Sequence, residues 1–115
     1  MGAALETTTG EVVTACNVEN ASYGLTSCAE RNAVFVAVAR FGPAMRVARL
    51  AVAARYADGR VRPISPCGAC RQVISELASP ECEIVYVTET GVVRRTLAGL
   101  LPDGFGASNL PVSAT

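Results

Sequence analysis

The sequence predicts an α/β fold in which a five-stranded mixed sheet is sandwiched between helices, a three-layer α/β/α arrangement. Three observations predict it. Segments rich in β-branched residues alternate with segments of helical period in the order β-β-α-β-α-β-β-α. Val47 to Ala54 is a nearly continuous apolar run, the pattern of a strand buried on both sheet faces. The chain has 115 residues, 50% of them hydrophobic, which suits one domain (1–115) with one core and leaves no room for a second.

Each element follows from local sequence. Gly2 to Leu5 is a short apolar strand that ends in Glu6-Thr7-Thr8-Thr9-Gly10, a hairpin-like turn. Glu11 to Val18 reads as its partner, with Val12, Val13, Thr14 and Val18 β-branched. Asn17 to Thr26 is polar, contains Gly24 and forms a loop. Ser27 is placed to cap a helix whose first turn is Cys28-Ala29-Glu30, and Ala33, Val34, Ala37 and Val38 continue at helical spacing. Phe41-Gly42-Pro43 stops that helix before the strand Val47 to Ala54. Tyr56 to Ile64 is a loop. Pro66 then precedes a second helix entry at Cys67, with Arg71 to Leu77 as the body and Val73, Ile74 and Leu77 facing inward. Ile84 to Thr88 and Val92 to Thr96 are strands joined by Glu89-Thr90-Gly91, and Leu97 to Leu101 is a short helix.

Composition excludes several functions. Ten Arg and no Lys balance ten acidic residues, so the formal net charge is zero and no basic excess points to nucleic acid. Charges interrupt every apolar stretch well before the roughly 18 residues a membrane helix needs. The chain has no His, which removes Ser-His-Asp triads, Cys-His pairs and imidazole metal ligands. Five Cys is an odd number with no basic-then-apolar leader before it, favouring reduced thiols and a cytoplasmic setting.

The chemistry concentrates on three cysteines. Cys28 opens one helix, and Cys67 and Cys70 open another. Residues at i and i+3 share a helix face, so Cys67 and Cys70 can direct both sulfurs at one point. With Cys28 they supply three thiolates for a tetrahedral zinc ion, leaving one position open. Helix N-termini suit thiolates, because unpaired N–H groups and the helix dipole favour negative charge. Glu30 stands beside the metal without ligating it, where a proton shuttle for an activated water belongs. Three thiolates on a dication sum to one negative charge, which requires a cation nearby. Arg31 is placed to donate to the sulfurs, with Gln72 and Arg71 as lesser candidates. Other readings of the cysteines are a thioredoxin-like redox pair at Cys67 and Cys70, or a structural zinc site with Cys16 or Cys82 as fourth ligand. The redox reading leaves Cys28-Ala29-Glu30 unexplained. Cys16 sits in a strand pattern and Cys82 on a turn, as small apolar residues do.

Cys28-Ala29-Glu30 and Pro66-Cys67-Gly68-Ala69-Cys70 resemble the Cys-x-Glu and Pro-Cys-x-x-Cys signature of zinc deaminases. With Asn17-Val18-Glu19-Asn20-Ala21-Ser22-Tyr23, Arg31 and Arg71-Gln72, the chain resembles cytidine deaminase of the small, all-cysteine, homotetrameric kind, from about Gly2 to Phe105. The resemblance implies one zinc ion per chain on Cys28, Cys67 and Cys70, and Glu30 as proton donor and acceptor. It implies hydrolytic deamination of cytidine and 2′-deoxycytidine in pyrimidine salvage. Asn17 and Glu19 would bind the sugar 3′-hydroxyl, with Ala29 also on the substrate side. Ala21 and Tyr23 would reach a neighbouring subunit's site near the 5′-hydroxyl, and Phe105 would stack on a base across the interface. The implied partners are a nucleoside and further copies of the chain, with no nucleic acid and no membrane.

The family normally has a helix and a base-packing Phe ahead of the first strand, and this chain begins at that strand. The start is therefore expected to be internal to a longer natural protein; a chain that does start here is expected to have one sheet face partly uncovered and weaker base binding. Alternative functions are a blasticidin-type aminohydrolase and a zinc-binding assembly module with impaired catalysis. The intact Asn17 to Asn20 segment favours a nucleoside over the antibiotic. A polynucleotide-editing deaminase is disfavoured by the missing His ligand and the neutral charge.

Overall fold

Gly10, at φ +91°, lets a tight turn fold the strand β1 (Gly2–Thr7) back onto β2 (Val12–Cys16) as an antiparallel pair. A 3-10 turn at Tyr23–Leu25 interrupts the loop that leads to the helix α1 (Ala29–Phe41). Gly42, at φ +86°, ends that helix, and β3 (Val47–Arg55) follows. A two-residue strand β4 (Val61–Arg62) pairs with the end of β3. Next come α2 (Gly68–Glu76), β5 (Ala78–Thr88), β6 (Gly91–Thr96) and the single-turn α3 (Leu97–Leu100). This computed structural model describes residues 1–111.

The strands form one mixed sheet in the order β2-β1-β3-β5-β6, with β4 attached to β3. Only β3 and β5 run parallel, and α2 makes the crossover between them. Val13, Leu5, Leu50 and Ile84 lie side by side across four strands, each at most 1% exposed. This row faces α1 and α2, whose Ala33, Val34, Ala37 and Ile74 join it in the core. The alanines of α1 let the helix approach the sheet closely, and Leu97 of α3 closes the same core at the far side.

Three expectations are corrected. The loop Tyr56 to Ile64 contains β4, too short and too exposed to leave a hydrophobic pattern, so the sheet has six strands and not the expected five. Val47 to Ala54 is buried on one face, not both: Leu50, Val52 and Ala54 are buried, whereas Arg49, Ala51 and Ala53 are exposed. The helices accordingly flank one side of the sheet, and among the described residues no helix covers the other. That open face presents Ala4, Val12, Ala51, Ala53 and Val92, with exposed ion pairs Arg49–Glu6 and Arg94–Glu83, each at 3.0 Å. Alanine counts as apolar in a sequence pattern but exposes little surface, so the run looked more deeply buried than it is.

Candidate metal and proton-transfer site

The N-termini of α1 and α2 meet at one end of the sheet, and each begins with a cysteine in the capping position. Cys28 (φ −73°, ψ 154°) and Cys67 (φ −67°, ψ 165°) have the extended backbone of an N-cap. Ser27 is therefore not the cap expected from sequence, because its hydroxyl donates instead to Asn32 Oδ1 at 2.6 Å. Sulfur replaces the usual capping oxygen at both helices, and both sulfurs sit where they can face a shared ligand.

Cys70 lies one turn into α2 and is fully buried, while Cys28 is half-buried and Cys67 exposed. The three Sγ atoms lie within 4.8 Å of one another, and Cys28 and Cys67 are 3.9 Å apart. Zinc–sulfur bonds of about 2.3 Å in a tetrahedron place sulfurs about 3.8 Å apart, which the Cys28–Cys67 separation matches, and the whole cluster lies within reach of one ion. Cys16, on the exposed strand β2, and Cys82, buried in β5, lie outside the cluster. Among the described residues nothing supplies a fourth sulfur, which leaves a coordination position for another molecule.

Electrostatics also favour a cation here. Burial, reinforced by the nearby charge of Glu30, pushes the Cys70 thiol far above its ordinary range. Burial also opposes ionisation of Cys67, but the backbone N–H of Cys70, the neighbouring thiols and the N–H of Ala69 outweigh it and lower its pKa. Arg31 Nη2 lies 3.7 Å from Cys28 Sγ and donates to the Thr26 carbonyl at 3.1 Å. That contact with Cys28, aided by the charges of Cys70 and Cys28, raises the Arg31 pKa and keeps the guanidinium charged. Glu30 is 1% exposed, and its Oε1 is buried with no partner among the described residues. A buried carboxylate oxygen without a donor beside three sulfurs is what a metal-activated water and an incoming substrate would satisfy.

Ala29, fully buried, sits between the Cys28 ligand and Glu30. Asn17 follows the end of β2, donates Nδ2 to Glu19 Oε1 at 2.7 Å and accepts from the Met1 amino group at 3.0 Å. A bridge between Val18 and Ser27, with both hydrogen bonds at 2.9 Å, brings this segment against the entry of α1. Ala21 and Tyr23 lie in the exposed loop, Tyr23 at 89% exposure, and Phe105 is 58% exposed. One chain therefore gathers the cysteines, Glu30, Arg31 and the Asn17–Glu19 pair, but leaves Ala21, Tyr23 and Phe105 facing outward.

Gln72 and Arg71 do not reach the sulfurs as expected. Gln72 Nε2 donates to the Phe105 carbonyl at 2.8 Å, tying the C-terminal segment to α2. Arg71 donates to the carbonyls of Pro66 and Leu100, both at 2.8 Å, and so locks the Cys67 loop to α3. Sequence reasoning missed Asn32, which bridges β2 to the α1 entry. Its only signal was an Asn two residues beyond Glu30.

Comparison with known proteins gives consistent results. The profile of the cytidine and deoxycytidylate deaminase zinc-binding region matches residues 1–87. The chain is similar to a cytidine deaminase of Halalkalibacterium halodurans, 40% identical over 111 residues, covering 96% of this chain and 80% of the relative. One from Mycobacterium tuberculosis is 44% identical over 111 residues, covering 96% and 76%. Among solved structures, cytidine deaminase from Burkholderia pseudomallei superposes with a TM-score of 0.76 at 46% identity, covering 90% of this chain and 80% of that one.

Proposed function

The chain belongs to the cytidine and deoxycytidylate deaminase family, and from that premise we propose how its own residues carry out the family's reaction. It is a zinc-dependent hydrolase that deaminates cytidine. In our reading, residues 1–115 form a single deaminase domain that also accepts 2′-deoxycytidine. It serves pyrimidine salvage in the cytoplasm and works as a homotetramer with shared sites.

The observation that carries the assignment is Glu30: a buried carboxylate with a free oxygen, on the same helix turn as Cys28 and within the field of Cys70. Cys28, Cys67 and Cys70 would hold the zinc. When bound, zinc lowers the pKa of a water molecule towards about 7 and so supplies a nucleophile at neutral pH. Glu30 takes the proton from the attacking water as its oxygen adds to C4 of the ring. It returns that proton to N3, takes the second proton from the added hydroxyl, and delivers it to the amino group, which leaves as ammonia. Arg31 holds positive charge against the sulfurs throughout. Asn17 and Glu19 fix the sugar, with amide and carboxylate side chains matched to a hydroxyl that both donates and accepts.

The test is loss of cytidine absorbance in the ultraviolet with the purified, zinc-loaded chain. Steady conversion to uridine with ammonia release is expected. A zinc-loaded chain that leaves cytidine unchanged would overturn the proposal and favour an assembly module.

A further inference from the structure

We propose that Asn32 is a positioning residue that sets the sugar-binding segment at its working distance from the metal end of the site. The inference rests on the deaminase reading above. Asn32 lies on α1, two residues after Glu30 and four after Cys28. Its Nδ2 donates to the carbonyl of Cys16 at 2.8 Å and lies 3.5 Å from the Ser27 carbonyl. Its Oδ1 accepts from the Ser27 hydroxyl at 2.6 Å.

Among the described residues, the Asn32 side chain is the one that hydrogen-bonds both to the end of β2 and to the entry of α1. Cys16 ends β2 and immediately precedes Asn17, so its carbonyl belongs to the peptide unit that carries Asn17. Ser27 precedes Cys28 and pairs with Val18 through the two backbone bonds at 2.9 Å. Glu30 is fixed by burial in α1, whereas Glu19 is exposed and Asn17 half-buried at the edge of a loop. Without Asn32, the loop would still be related to the helix through the Val18–Ser27 bridge, the Thr26 hydroxyl on the Asn20 backbone and Arg31 on the Thr26 carbonyl, but the carbonyl beside Asn17 would lose its tie to α1. None of those contacts holds the Cys16–Asn17 peptide unit against α1. The amide is suited to the task, because it donates to one element and accepts from the other at once. Aspartate at this site would keep the acceptor, lose the donor and set a negative charge against the Cys16 carbonyl.

Asn32 touches neither the metal cluster nor the expected place of the base. Its loss should therefore weaken nucleoside binding while sparing chemistry. Losing one such hydrogen bond should raise KM for cytidine by about 3- to 10-fold in Asn32→Ala, with kcat within about twofold of the parent. Asn32→Asp should behave the same way, and stands in if the alanine variant does not fold. Zinc content should match the parent in both.

The decisive measurement is a double-mutant cycle with Asn17→Ala, read as KM for cytidine on zinc-loaded protein. If Asn32 acts through Asn17, adding Asn32→Ala to Asn17→Ala changes KM by less than about twofold. Multiplicative effects would overturn the proposal, as would an unchanged KM in the single variants. So would loss of zinc from both Asn32 variants, which would place the residue in the framework of the metal cluster. A parent chain that binds zinc but does not deaminate cytidine would overturn the deaminase reading, and this inference with it. An active parent with unaffected Asn32 variants would overturn this inference alone.

Discussion

At the metal end of the site, Ala29, Glu30 and Cys70 are 0–1% exposed, whereas in the loops proposed to meet sugar and base Tyr23 is 89% and Phe105 58% exposed. The first group belongs to two helices packed on the sheet, and its geometry is set by the same core that holds the fold together. The second belongs to loops, tied down by single contacts such as Gln72 to the Phe105 carbonyl. Proton transfer needs fixed distances and a dry carboxylate, which a core provides. The exposed loops have no such framework behind them.

The largest expected effect tests whether the metal end is one unit. Cys67→Ala should reduce bound zinc well below one per chain, measured by elemental analysis, and abolish deamination. Cys67 is the exposed ligand, so any loss of stability beyond that of the metal-free parent should be small. Retention of stoichiometric zinc would break the comparison, because the metal would then depend on something other than the three sulfurs.

Next in size, Glu30→Ala should keep zinc and lose turnover by roughly 10² to 10⁴-fold or more. It removes a buried carboxylate that has no hydrogen-bond partner on one oxygen, so thermal stability should hold or rise. Near-normal turnover of cytidine in that variant would remove Glu30 from the mechanism.

At the recognition end, Phe105→Ala should lower kcat/KM for cytidine by about tenfold, since base–aromatic stacking is worth about 1–3 kcal/mol. In a monomer its melting temperature should match the parent's, because the ring is largely exposed. A fall in melting temperature with unchanged kcat/KM would show that Phe105 packs within its own chain. The contrast between the two ends would then disappear.

This division also explains what the sequence made legible. Cys28, Cys67 and Cys70 stood out because helix spacing and helix entry are local properties, visible within a few residues. The alternation of strands and helices along the chain was legible for the same reason, apart from the short β4. The N-cap was misplaced because Ser27 meets Asn32 across a turn, and no local rule decides which acceptor a serine hydroxyl takes. Gln72 and Arg71 were read towards the sulfurs, yet they satisfy carbonyls brought close by α3 and the C-terminal segment. Those partners lie up to 33 residues away in the chain. The open sheet face was hidden by alanines, whose hydropathy says nothing about which side they face. The fold and the metal ligands were written in short-range pattern, and the contacts that position them were not.

The smallest expected effect separates the cysteines by environment. Burial, with a lesser contribution from Glu83, pushes the Cys82 thiol up to about 11 from an ordinary 9.0, whereas Cys67 at the helix entry is shifted down. On unfolding, Cys82 would ionise near its ordinary value. Between about pH 9 and pH 11 the unfolded chain has lost that proton and the folded chain has kept it. The associated stability is therefore intact below about pH 9 and declines as pH rises towards 11. Cys82→Ala removes this dependence, while losing a little core packing equally at every pH. The zinc-loaded parent should thus lose melting temperature more steeply than the variant between about pH 8 and pH 10.5. The other alkaline groups are common to both proteins and cancel in the difference. Parallel curves would mean that Cys82 reaches water as readily as Cys67 does, and that the interior beneath the site is wetter than its packing implies.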